Sequence, residues 1–174
     1  MTNSAIGMDP LTNVMSRENG FAHLSQHIDN AKINNTKVAV LYIDLDNFKP
    51  FNVHNGYMKG DLILKNYSSL ITPIFQPRYE VFRIGGDEFV IIIPNMADGE
   101  AEALAEAICD ISRKQLTPPQ PVHCGDPHCV GPATLSVSIG IATSLPDDDV
   151  KSLLNKAEEK LYAAKTGGRD CFCA

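Results

Sequence analysis

Apolar positions recur along this chain in two rhythms, and the switches between them mark its elements. From Ser16, a candidate cap, Phe21, Leu24, Ile28 and Ala31 fall on one helical face, which predicts a helix through about residue 30. Residues 37–44, KVAVLYID, form a continuous apolar run that ends in an acid, the pattern of a buried central strand. Residues 45–60 show no period and read as a loop. A helix is expected over about 61–71, stopped by Pro73 and Pro77. Residues 80–84 and 89–93 are two more strands, joined by Gly85, Gly86, Asp87 and Glu88. Leu104, Ala107, Ile108 and Ile111 stripe a helix over 101–115. Leu135, Val137, Ile139 and Ile141 alternate with Ser136, Ser138 and Gly140, the period of a strand with one solvated face. Val150, Leu153, Leu154, Ala157, Leu161 and Ala164 mark a last helix ending near Gly167. No internal repeat or long linker divides the chain. The pattern predicts a flexible terminus over residues 1–8 and one α/β (α+β) domain over 9–174, a mixed sheet with helices packed on it.

Composition narrows the function. The chain has 174 residues, 44% hydrophobic and 21% charged, enough for one domain with its own core. Net charge is −6 with no Lys/Arg-rich block, which argues against a nucleic-acid partner. No apolar run approaches the roughly 20 residues that span a bilayer. Five cysteines, an odd number, argue against a secreted disulfide framework, so a reduced, cytoplasmic setting is expected. His23 and His27 stand at i, i+4 without a third ligand nearby and read as a solvated helix face. Residues 118–132 read as a loop holding His123, Cys124, His128 and Cys129; this single tight cluster reads as a surface loop ahead of a zinc site. Cys171 and Cys173 at the tail read as incidental.

Acids at two strand ends carry the candidate chemistry. Two glycines favour a tight hairpin whose tip lifts Asp87 and Glu88 toward a ligand. Asp44 and Asp46 stand at the end of the buried run, where open α/β sheets place ligand contacts. Residues at i and i+2 share a face, so both could meet one cation, although Asp46 reads more readily as a cap on the following turn. Hard oxygen ligands without His or Cys suit Mg²⁺ or Mn²⁺. Lys165 and Arg169 close the last helix, where the dipole alone favours cations; a clamp on phosphate oxygens is the alternative.

Taken together, "DLDNFKPFN", "RIGGDEF", "LSVSIGIA" and "AEEKLYAAKTGGR" resemble the GGDEF-domain diguanylate cyclases, over nearly the whole chain from Asp9 to Asp170. The resemblance implies a nucleotidyl-cyclase-like fold: a five-stranded, ferredoxin-related mixed sheet flanked by helices. It implies condensation of two GTP into cyclic di-GMP with release of pyrophosphate by a homodimer of half-sites. Asp44, Asp87, Glu88 and the Leu45 carbonyl would bind two divalent ions per half-site, and Asp87 and Glu88 would act in catalysis. Asn52 and Asp61 would read guanine, since a carboxylate can accept from two donors that adenine lacks on that edge. Lys165 and Arg169 would hold phosphates, and Phe48 and Lys49 would line the phosphate loop. A sensor, receiver or phosphodiesterase domain is expected in the full-length parent, which could be membrane-attached through another domain. The alternative is a weak or inactive GGDEF module that binds GTP and regulates a neighbour.

Several positions depart from the family pattern. Val53 stands where Asp is frequent, and Tyr57 where His is frequent. Gln76 and Tyr79 occupy the matching places of an Arg-x-x-Asp product-inhibition site, so that site is expected to be absent.

Overall fold

A computed structural model describes residues 7–75, 78–116 and 135–174 of the chain. Its sheet has five strands: β1 (Ala39–Leu45), β2 (Glu80–Gly85), β3 (Glu88–Ile93), β4 (Val137–Thr143) and β5 (Phe172–Cys173). Their order is β2-β3-β1-β4-β5. β1 is central and runs antiparallel to both neighbours, while β5 lies parallel to β4. The helices are α1 (Arg17–Asn34), α2 (Phe48–Asn55), α3 (Tyr57–Phe75), α4 (Glu100–Gln115) and α5 (Val150–Thr166).

Both faces of the sheet are covered, and the alternation along β1 assigns each residue to one of them. Leu41, Ile43, Phe89 and Ile91 pack with α3 residues Leu64, Tyr67 and Ile71 and α4 residues Ala105 and Ile108. Val40, Tyr42, Val90 and Ile92 pack with α1 residues Leu24 and Ile28 and α5 residues Leu153, Ala157 and Leu161. That second face ends, at the carboxyl end of β1, in two acids: Asp44 is register partner of Glu88.

The expected loop over 45–60 contains α2 and the start of α3. α2 hides from a periodicity reading because only Phe48 and Phe51 of its eight residues are buried. Pro50 sits in its first turn, where the missing N–H would be unpaired anyway. α3 also runs past its expected stop, with Pro73 inside it near the end. α1 continues to Asn34, with Ser16 as cap accepting from the Asn19 N–H.

β4 is buried on both faces, not one. Its small residues face α5. A Cβ on Gly140 would sit 1.9 Å from the Ala157 carbonyl oxygen and 2.3 Å from the Leu161 nitrogen, so only glycine lets the helix lie this close. His23 and His27 lie on a partly solvated face, and one ring nitrogen of each meets the Glu80 carboxylate, at 2.8 and 3.0 Å. Their hydrogen bonds outweigh the burial of Glu80 and hold its carboxyl below the usual range. The expected loop over 118–132, with His123, Cys124, His128 and Cys129, lies outside the described residues. Among the described residues no helix is long and apolar enough to cross a membrane.

Candidate active site

The hairpin places the first acids. Gly86 adopts φ +54°, a left-handed turn conformation that costs glycine little, and Asp87 follows it. The Arg83 guanidinium closes the turn by donating twice to the Gly86 carbonyl, at 3.1 and 2.6 Å, and once to Asp9 at 3.0 Å. Asp9 also accepts the Thr12 N–H and hydroxyl, so the "DPLT" segment braces the hairpin. Phe89 anchors the signature from below, fully buried and edge-on to Tyr67 at 5.2 Å.

The central strand brings the next. Asp44 lies opposite Glu88, and the Leu45 N–H reaches the Asp87 carbonyl at 3.4 Å. Burial pushes the Asp44 carboxyl up to about 6, with the Asp87 and Glu88 charges adding to the rise and Lys165 opposing it. Burial likewise raises Asp87 and Glu88. Tyr42, two residues before Asp44 on the same face, is the neighbour that most opposes the rise at Glu88. Lys165 arrives from the opposite end of the sequence. α5 crosses β4 at Gly140, whose partner is Tyr42; Lys165, one turn beyond Leu161, therefore stands over the next pair on that face, Ser138 and Asp44. Its ammonium pairs with the Asp44 carboxylate at 2.8 Å.

The remaining residues fall into two further groups. Asn52 of α2 abuts Gly60 of α3, one residue before Asp61. A Cβ on Gly60 would meet the Asn52 Oδ1 at 1.9 Å. That oxygen is buried without a hydrogen-bond partner, and Asp61 is exposed. The Phe48 side chain is buried in the core, while Lys49 beside it is exposed. Arg169 sits apart from Asp44, nearest to Asp46 at 4.0 Å. Val53 and Tyr57 are 73% and 79% exposed, so neither departure disturbs the packing. Tyr79 gives its hydroxyl to Glu100, which also pairs with Arg78; Gln76 lies outside the described residues.

Asp46 departs from the simple cap expected of it. Its carboxylate is fully buried and accepts from the hydroxyls of Ser136 and Ser138, each at 2.7 Å, and from the Asp170 N–H at 3.0 Å. The signal in the sequence was the pair of serines on a strand face that burial would otherwise forbid.

The sequence matches the family model for the diguanylate cyclase GGDEF domain over residues 6–171. The chain belongs to the GGDEF family. This GGDEF domain is 34% identical to diguanylate cyclase DosC of Escherichia coli over 95% of its length, but spans only 34% of that protein. It is also 34% identical to cyclic di-GMP phosphodiesterase PdeR of the same organism, of which it spans 23%. Among solved structures it is similar to the GGDEF domain of DgcB from Caulobacter crescentus in complex with c-di-GMP. The TM-score is 0.81 at 26% identity, over 99% of this chain and 95% of that one. The active GGEEF domain of a diguanylate cyclase from Vibrio cholerae gives a TM-score of 0.76 at 25% identity, over 91% and 95% of the two chains. The GGDEF domain thus accounts for about a third of DosC and about a quarter of PdeR.

Proposed function

We propose that this domain is a diguanylate cyclase that joins two GTP molecules into cyclic di-GMP, with one copy of the chain holding each GTP. One observation carries the reading: Asp44, Asp87, Glu88 and Lys165, drawn from both ends of the chain, meet at the carboxyl end of β1. Each 3′-hydroxyl attacks the α-phosphorus of the facing GTP. The new O3′–P bond forms as the bond to the β-phosphate oxygen breaks, and pyrophosphate departs.

The residues fit a hard divalent cation. Three carboxyls crowd together with their acidity suppressed, and an ammonium already sits on one of them. Among the described residues no three His, Cys, Asp or Glu side chains are grouped closely enough to hold a metal ion by themselves. Mg²⁺ or Mn²⁺ would take one or two of these carboxylates and complete its shell with substrate phosphates and water. Asp44, Asp87, Glu88 and the Leu45 carbonyl would hold two such ions, whose charge would offset that building up on the transferring phosphoryl group. Glu88, near the Tyr42 phenol, accepts the proton of the 3′-hydroxyl. Asp61 and the unpartnered Asn52 oxygen receive guanine donors. Exposed Lys49 and the first N–H groups of α2, left without a side-chain cap by Asn47, face phosphate oxygens, joined by Lys165 and Arg169.

A second reading, a GTP-binding module without turnover, draws support from the likeness to PdeR. One assay decides between them. The domain, at high concentration or fused to a dimerising segment, is given GTP with Mg²⁺ or Mn²⁺, and pyrophosphate and cyclic dinucleotide are measured. Turnover that Asp87→Ala removes supports the cyclase. Wild type no faster than Asp87→Ala, with GTP still bound, supports the regulatory module.

A further inference from the structure

The carboxylate of Asp46 stands two residues from Asp44, yet the fold spends it differently. Both of its oxygens are occupied, Oδ2 by the Ser136 hydroxyl and the Asp170 N–H, Oδ1 by the Ser138 hydroxyl. Three donors thus claim most of its accepting capacity. Its bond to Asp170 lands on an unusual piece of backbone. Arg169 and Asp170 have φ of +66° and +52°, two consecutive side-chain-bearing residues in the left-handed region. Such a turn persists only where its surroundings hold it.

Three contacts do so. Asp46 grips the Asp170 N–H from inside the domain. From α4, the Arg113 guanidinium binds the Asp170 carboxylate at 2.7 Å and its carbonyl at 3.0 Å. The Arg169 N–H returns to the Ala164 carbonyl at 3.1 Å. What the turn presents is the Arg169 side chain, half-exposed on a polar cavity of about 480 Å³ shared with Asn47, Arg113 and Ser136. Asn47 is the residue that starts α2. The cavity therefore adjoins the α2 N-terminus, where an anion is favoured.

We propose that Asp46 is a positioning residue: it fixes the left-handed turn at 169–170 and thereby aims the Arg169 guanidinium at the terminal phosphates of bound nucleotide. The inference rests on the reading that Arg169 meets phosphate. It separates the paired aspartates of "DLD" by task, Asp44 toward the reacting centre and Asp46 toward the far end of the triphosphate.

A double-mutant cycle tests it, with affinities for GTP and for GMP measured by calorimetry on wild type, Asp46→Asn, Arg169→Ala and the double variant. Arg169→Ala is expected to weaken GTP about tenfold and leave GMP unchanged. Asp46→Asn is expected to weaken GTP three- to tenfold, also sparing GMP. In the double variant the loss stays within twofold of Arg169→Ala alone. If Asp46→Asn multiplies the loss in the Arg169→Ala background, or weakens GMP equally, Asp46 is a general staple and the proposal is wrong. If Arg169→Ala binds GTP as wild type does, the phosphate reading of Arg169 fails first. Should Asp46→Asn melt below the assay temperature, Ser138→Ala carries the same cycle, with a two- to threefold loss expected and the same outcomes overturning it.

Discussion

Asp44 and Asp46 are two residues apart, on the same strand end and about equally buried at 8% and 2% exposure, yet they live in opposite electrostatic worlds. Asp46 is surrounded by donors that were folded into place for it. Asp44 faces two other acids and has Lys165 as its cationic partner. Burial costs a carboxylate dearly unless hydrogen bonds replace water. The fold meets that cost at Asp46 and leaves it standing at Asp44. The carboxyl proposed to meet cations is kept hungry for positive charge, and the one bonded on both oxygens is kept satisfied.

Opposite signs on mutation would establish the contrast. The largest expected effect is at Asp46→Ala, which strands two buried hydroxyls and an N–H and lowers unfolding free energy by about 3 kcal/mol in urea titration. Asp44→Asn should do the reverse and add about 1–3 kcal/mol near neutral pH in metal-free, nucleotide-free protein. The sign follows from protons. Native Asp44 titrates at about 6 and the unfolded side chain near 3.8, so between those values the native state holds a proton that the unfolded state has lost. Wild-type stability therefore falls as pH rises through that window. The gain from Asp44→Asn should be full above pH 6, shrink in more acidic solution and vanish below pH 3.8. Urea midpoints at about pH 7.5 and about pH 5 check it, and a destabilised Asp44→Asn would break the comparison. A smaller loss of about 1 kcal/mol is expected for Ser138→Ala, since one of several donors to Asp46 goes. The finest effect is read on a single group. Lys165→Ala should move the Asp44 titration upward in carboxyl-resolved NMR, and a downward move would mean that Lys165 does not stabilise its charge.

Much of this architecture was legible in the residues. The apolar run of β1, the hairpin around Gly86 and the stripe of α4 each follow one rule over several positions, and each lies within a residue or two of where that rule put it. What escaped had a physical reason. α2 is short, with two buried side chains, too few to show a period. β5 is a two-residue edge strand whose pairing depends on where the tail is carried. Ser136, Ser138 and Gly140 mimic a solvated face because a helix that lies close and a buried acid both demand small or polar residues there. The resemblance gathered Asp44, Asp87, Glu88 and Lys165 into one site, and their contacts bring these four together. Arg169, which it grouped with Lys165 on phosphate, lies past the end of α5 in a left-handed turn and comes within 4.0 Å of Asp46, a neighbour that no spacing rule points to. The task of Asp46 was out of reach, since it depends on a turn 124 residues away.

Arg83 spreads one rigid, planar group across two segments, with two nitrogens on the Gly86 carbonyl and the third on Asp9. The turn that carries Asp87 is therefore tied to the segment at Asp9 by a single side chain, and neither can shift far without the other.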